Sequence, residues 1–201
     1  MTHISRRTFL AATRAAVLLP AIPAFAQAPA NEAPALAEAV AAGNLPPLAE
    51  RLPLNPMVVE PLESVGQYGG DLRTALMGGG ALNMMHRYQG YEPLVRYTAD
   101  FTGVIPNVAE SYETNEDASV YTFKLREGHK WSDGQPFTTD DIMFFYEDVL
   151  LNEELTVSPP TPLRTLSGEV AKFEKVDETT FRIVFPEPNG LLPLRLAWAN
   201  D

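Results

Sequence analysis

Three histidines, 26 carboxylates and no cysteine make up the chain's stock of acid–base and metal-ligating side chains. His86 and His129 stand far apart, and neither has a second His or Cys at ligand spacing. Zinc catalysis needs three converging ligands, so both read as surface or core-edge histidines. The third, His3, lies in a segment read below as cleaved. Asp140 and Asp141 are adjacent, so on a helix they point about 100° apart and serve the helix start better than acid–base work. In the glycine run Gly78–Gly80, Asn83 stands where Gly-x-Gly-x-x-Gly needs its last glycine, and no Gly-Lys-Ser/Thr follows. A flexible strand exit fits better than a phosphate cradle. No serine sits in Gly-x-Ser-x-Gly, and the missing cysteine removes thiol nucleophiles and thiolate metal sites. Trp131, Tyr88, Tyr91 and Tyr97 can stack on a ligand, although such aromatics serve more often as core. These residues point away from an enzyme, a metal site or a cofactor.

Composition narrows the classes further. The chain has 201 residues, 45% of them hydrophobic and 20% charged, which suits one domain or two small ones. Fifteen basic against 26 acidic residues give a net charge of −11. The first 26 residues hold Arg6, Arg7 and Arg14 and no acid; without them 12 basic residues face 26 acidic ones. Such a chain repels phosphate backbones, which excludes nucleic acid as a partner.

The first 26 residues read as an export signal. Ser5-Arg6-Arg7-Thr8-Phe9-Leu10 is followed by an apolar run from Ala15 to Phe25, and small residues at Ala24 and Ala26 mark cleavage before Gln27. The run is interrupted by Pro20 and Pro23 and is too short for a membrane span. Arg6, Arg7, Phe9 and Leu10 resemble the twin-arginine signal, with Ala11 where that pattern favours Lys; a general secretory signal is the alternative. Without a cysteine to carry acyl chains, the mature protein is expected free in the periplasm.

Residues 27–63 are rich in Ala, Pro, Glu and Leu and contain no aromatic residue. Pro34 to Ala42 predicts a short helix closed by Gly43; Pro46, Pro47, Pro53, Pro56 and Pro61 then predict extended chain, lying on the surface or partly mobile. Gly69 to Met77 alternates like a half-buried strand. Val120 to Arg126 is a cleaner strand, with Tyr121, Phe123 and Leu125 on one face. Glu127-Gly128 and Ser132-Asp133-Gly134 read as turns. Thr138 reads as the N-cap of a helix whose buried stripe is Ile142, Phe145, Tyr146, Val149 and Leu150. Val170–Val176 and Thr179–Phe185 read as a hairpin around Asp177-Glu178. The mixed order predicts an α+β or α/β fold.

Four consecutive stretches carry a resemblance: Tyr91-Glu-Pro-Leu-Val-Arg-Tyr97, Pro106-Asn-Val-Ala-Glu-Ser-Tyr-Glu113, Tyr121-Thr-Phe-Lys-Leu-Arg-Glu-Gly128, and Lys130-Trp-Ser-Asp-Gly-Gln-Pro-Phe-Thr-Thr-Asp-Asp-Ile142. Together they resemble the solute-binding proteins, family 5, of ABC importers, the oligopeptide, dipeptide and nickel group. The departures are Val108 for Leu, Tyr112 for Trp, His129 for Val and Ser132 for His. The stretch Thr180–Pro188 resembles the family's return strand.

The resemblance implies a non-catalytic receptor with two lobes that close on a solute. Residues 64–201 would then be the N-terminal portion of such a type II binding protein, with an accessory subdomain at 82–162 and a return into lobe one at 163–201. The second lobe would lie outside these 201 residues, leaving a fragment in which Leu191–Trp198 exposes an apolar strip. The implied ligand is an oligopeptide, with Gly80, Leu82, Asn83, Met84 and His86 lining the cleft. The implied partners are an inner-membrane permease and its ATPase, reached through the export machinery, with the protein a monomer. The alternatives are an oligosaccharide-binding relative, a truncated remnant without binding activity, and a secreted hydrolase.

Overall fold

A computed structural model describes residues 32–78, 81 and 92–198. The export motif and its cleavage residues Ala24 and Ala26 therefore lie outside the described residues.

Period-two alternation builds the centre. Strands β3 (Ala109–Thr114), β4 (Val120–Leu125), β5 (Lys172–Lys175) and β6 (Thr180–Val184) form one antiparallel sheet in the order β3-β4-β6-β5. Tyr121, Phe123 and Leu125 are buried on one face, as their spacing predicts, opposite Phe181 and Ile183. Tyr112 pairs with Phe123, and Phe123 with Phe181; the last two rings stack at 5.4 Å and 16°. Phe173 continues the row, its ring 6.3 Å from that of Phe181. Lys124, Arg182 and Glu174 alternate onto the other face. A separate hairpin pairs β1 (Val95–Tyr97) with β2 (Val104–Pro106).

Of the four α-helices among the described residues, two pack against the core; the first two bury no residue. Pro34–Ala41 (α1) starts with Pro34 at its first position. It ends as Gly43 and Asn44 donate their N–H groups to Val40 O and Ala39 O, with Gly43 at φ +75° supplying the left-handed step. Leu48–Arg51 (α2) adds one helical turn where extended chain is expected. Thr139–Phe144 (α3) opens with a capping box: the Thr138 hydroxyl accepts the Asp140 N–H, and the Asp141 carboxylate accepts the Thr138 N–H at 2.8 Å. From Phe145 to Leu150 the helix widens into a π turn. That wider turn shifts the phase of the expected stripe. Ile142, Tyr146 and Leu150 face the core, Met143 joins them, and Phe145 turns outward. Tyr146 stacks on Phe173 at 5.0 Å. Leu192–Leu196 (α4) buries Leu192 but leaves Leu191, Leu194 and Trp198 partly exposed.

The expected strand over Gly69–Met77 is not formed; the segment is extended coil with Leu72 and Met77 exposed. Alternation alone does not make a strand, because the ladder needs a neighbour to take its N–H and C=O groups. No described strand pairs with this one.

The stacked row predicts an asymmetry across the sheet. Phe181→Ala should lower stability by about 3–5 kcal/mol, and Arg182→Ala, one residue along on the exposed face, by under about 0.5 kcal/mol. Urea unfolding of both variants checks this; equal losses would mean that the row does not organise the core.

Candidate functional site

The cleft residues implied by the resemblance, Gly80, Leu82, Asn83, Met84 and His86, lie outside the described residues, as do Tyr88 and Tyr91. The described surface that gathers aromatic and ionisable groups is the segment after β4. Leu125 ends the strand, and Gly128, at φ +77°, turns the chain. Residues 129–137 then fold back on themselves: Phe137 N–H donates to His129 O at 2.9 Å, Trp131 N–H donates to Gln135 O at 2.8 Å, and Gly134 closes the tip at φ +91°.

This fold-back presents three rings side by side. Trp131 meets Phe137 edge-on at 5.1 Å, and His129 lies 5.5 Å from Phe137. With Glu92, Val108 and Lys130 they line a pocket of about 380 Å³. Trp131 is half exposed rather than buried in the core. Its indole N–H donates to Asp141 Oδ1 at 3.1 Å, while Asp141 Oδ2 caps α3. One carboxylate thus fixes the helix start and the ring together. The Thr-x-x-Asp spacing at 138–141 signals the cap; nothing in the sequence signals the bond to Trp131.

Arg126 is the second anchor. Its guanidinium is buried and donates to Asn107 O at 2.7 Å and to Asn55 O at 2.6 Å. Leu54 N–H donates to Glu127 O at 2.9 Å, and Lys130 Nζ to Glu50 O at 2.7 Å. Glu32 pairs with Arg51 beside them. The Pro-rich extension, expected to lie on the surface or be partly mobile, is thus tied to residues 126–130 as far as Asn55. Beyond it, Val58, Leu62 and Val65 are exposed.

The electrostatics suit binding better than proton transfer. Burial, seconded by Arg126, holds the His129 imidazole below its ordinary value of 6.5, and so neutral near pH 7. Its Nδ1 is buried without a hydrogen-bond partner among the described residues. Neutral rings set at steep angles to one another and flanked by Glu92 and Lys130 offer an apolar surface with polar edges.

Residues 103–200 match the family described as "Bacterial extracellular solute-binding proteins, family 5 Middle". This stretch is similar to the middle segment of the family 5 solute-binding proteins. Family 5 proteins are solute-binding and non-catalytic. The chain is 34% identical over 168 residues to the periplasmic alpha-galactoside-binding protein of Rhizobium meliloti (strain 1021), covering 74% of this chain and 24% of that protein. It superposes on the oligopeptide-binding protein OppA with a TM-score of 0.73 and 35% identity, over 83% of this chain and 25% of that one. It also resembles the periplasmic binding protein MelB of Agrobacterium fabrum C58, solved with stachyose, with a TM-score of 0.50 and 28% identity. That match covers 74% of this chain and 25% of MelB. The chain thus spans about a quarter of the length of each of these relatives, and its mixed α/β fold corresponds to part of OppA.

The His129 environment predicts a pH window for stability. Because the folded-state value is depressed, the unfolded chain takes up the proton first. Stability from the neutral imidazole is full above pH 6.5 and declines as pH falls from 6.5 toward the folded-state value. Of the carboxylates whose values are lowered, Glu110 begins to matter only as pH falls through about 4.5, and Asp100, Asp117 and Asp177 as it falls through about 3.8. His129→Val should therefore flatten the fall in melting temperature between neutral and mildly acid pH. An unchanged slope in thermal unfolding would show that His129 is not the titrating group.

Proposed function

We propose that this protein is the periplasmic solute-binding component of an ABC importer and captures an oligopeptide-like solute for delivery to an inner-membrane permease and its ATPase. The observation that carries this reading is the backbone match to OppA over 83% of the chain at 35% identity. In the proposed division, residues 1–26 are a twin-arginine export signal, 27–63 a Pro-rich extension, and 64–201 the N-terminal portion of the binding protein. Gly80, Leu82, Asn83, Met84 and His86 line the solute cleft. The mature protein works free in the periplasm.

A second reading has its own support. The alpha-galactoside-binding relative aligns over 168 residues, and the MelB structure holds stachyose. An oligosaccharide stacks readily on exposed aromatic faces, of which Trp131 is one. Calorimetric titration of the purified protein with a mixed library of short peptides, and separately with stachyose, separates the two. Heat released by peptides supports the leading reading, and heat released by stachyose alone supports the second. No heat from either would overturn both. In the binding case, Asn83→Ala should weaken affinity about tenfold, the scale of one lost buried hydrogen bond.

The export route has its own check. Replacing Arg6 and Arg7 together by Lys should leave precursor in the cytoplasm, read by cell fractionation and immunoblotting. Undiminished periplasmic protein would assign export to the general secretory route.

A further inference from the structure

Arg164 and Arg195 line one pocket of about 510 Å³ between residues 161–168 and 188–195. Acids outnumber bases 26 to 15 in this chain, yet no carboxylate lines the pocket. Glu169 and Glu187 flank the two lining segments in sequence but do not contribute to its wall. Both arginines are half-buried, and neither forms an ion pair among the described residues. Arg195 donates one hydrogen bond, from Nη1 to Thr161 O at 3.3 Å. The Arg164 guanidinium has no protein acceptor among the described residues. A guanidinium carries five N–H donors in a planar fork, so most of this donor capacity is not taken up by protein acceptors among the described residues.

The polar groups around the two arginines are already oriented. Thr165 is buried; its hydroxyl accepts the Glu169 N–H at 3.1 Å and lies 2.7 Å from the Ser167 hydroxyl. If Thr165 donates to Ser167, the Ser167 proton is left to point into the pocket. The opposite wall is held by Asn189, whose carbonyl accepts the buried Tyr121 hydroxyl at 2.8 Å and whose side-chain amide donates to Pro162 O at 3.2 Å. These bonds tie the wall bearing Arg195 to the wall bearing Arg164 and to strand β4. An anion held between two guanidinium groups accepts charge-assisted hydrogen bonds from both forks.

We propose that this pocket is an oxyanion site, taking a carboxylate or phosphate group of a small molecule between Arg164 and Arg195, with Ser167 as a hydroxyl donor. The site is separate from the aromatic pocket around Trp131 and does not depend on which solute the protein carries.

The test is calorimetric titration of the full chain in low-salt buffer with inorganic phosphate in one arm and succinate in the other. Both arms are repeated on Arg164→Gln, Arg195→Gln, the double variant, and Arg182→Gln as a control on the sheet's exposed face. Urea midpoints within the control's range certify that each variant is folded, and Arg195→Lys keeps the charge while removing the fork. Saturable binding of either anion, weakened about tenfold or more by each single change and abolished by the double one, is the expected result. The lysine variant should fall between, and added salt should weaken binding in proportion to the charge engaged. Preference between the arms identifies the group as phosphate or carboxylate. The proposal is overturned if neither anion binds the parent protein, or if the folded double variant binds as tightly as the parent.

Discussion

The aromatic row Tyr112–Phe123–Phe181–Phe173, closed by Tyr146, crosses all four strands of the sheet and is the contact on which the remaining structure rests. Each ring occupies a core-facing position of its strand, so stacking requires the register of every pair to be right at once. A slip of one residue in β4 would carry Phe123 to the face that holds Lys124. The row also sets where α3 can lie, since Tyr146 reaches Phe173 only if the helix starts beside the β5–β6 turn. It does: the Thr139 N–H donates to Glu178 O at 3.0 Å. The capping box, and through Asp141 the Trp131 ring, inherit their positions from that placement.

A second dependence runs through Arg126. A buried guanidinium must be given acceptors or its burial is costly, and here two backbone carbonyls from distant segments, Asn107 and Asn55, supply them. The same side chain depresses the His129 value. The N-terminal extension, the end of β4 and the aromatic pocket are therefore one electrostatic unit. Removing Arg126 would take one tie from the extension and the lesser of two influences from the imidazole, whose value burial lowers most.

The regular parts of the fold were legible because they follow local rules. Tyr121, Phe123 and Leu125 alternate with polar residues, Thr138 precedes two acids, and Pro34 and Gly43 bracket a helix. All three signals act within a few residues. What failed was decided further away. Gly69–Met77 alternates as well as β6 does, but pairing is a property of two segments, and no described strand accompanies it. Phe145 sits at helical spacing from Ile142, but a π turn, invisible to a 3.6-residue period, rotates it outward. Tyr112, Val108 and His129 were readable as departures within a family-like pattern, whereas the bond between Trp131 and Asp141 depends on how a fold-back meets a helix. Of the candidate site, the motif was legible and the pocket it lines was not.

The perturbed carboxylates argue for the same division of labour. Asp100, Asp117 and Asp177 sit at the tips of the three hairpins, β1–β2, β3–β4 and β5–β6. Asp100 Oδ1 accepts from the Thr98 and Thr102 hydroxyls at 2.6 and 2.9 Å. Asp117 Oδ1 accepts from the Ser119 N–H and hydroxyl, and Asp177 Oδ1 from the Thr179 and Thr180 N–H groups at 2.8 and 2.7 Å. These bonds lower all three values, because hydrogen bonds to the charged form favour it. A general acid or base working near neutral pH needs its value moved the other way, toward the working pH. The Asp–Ser/Thr pairs are turn braces that stay ionised and fix hairpin geometry. These three hairpin carboxylates thus serve the shape of the fold.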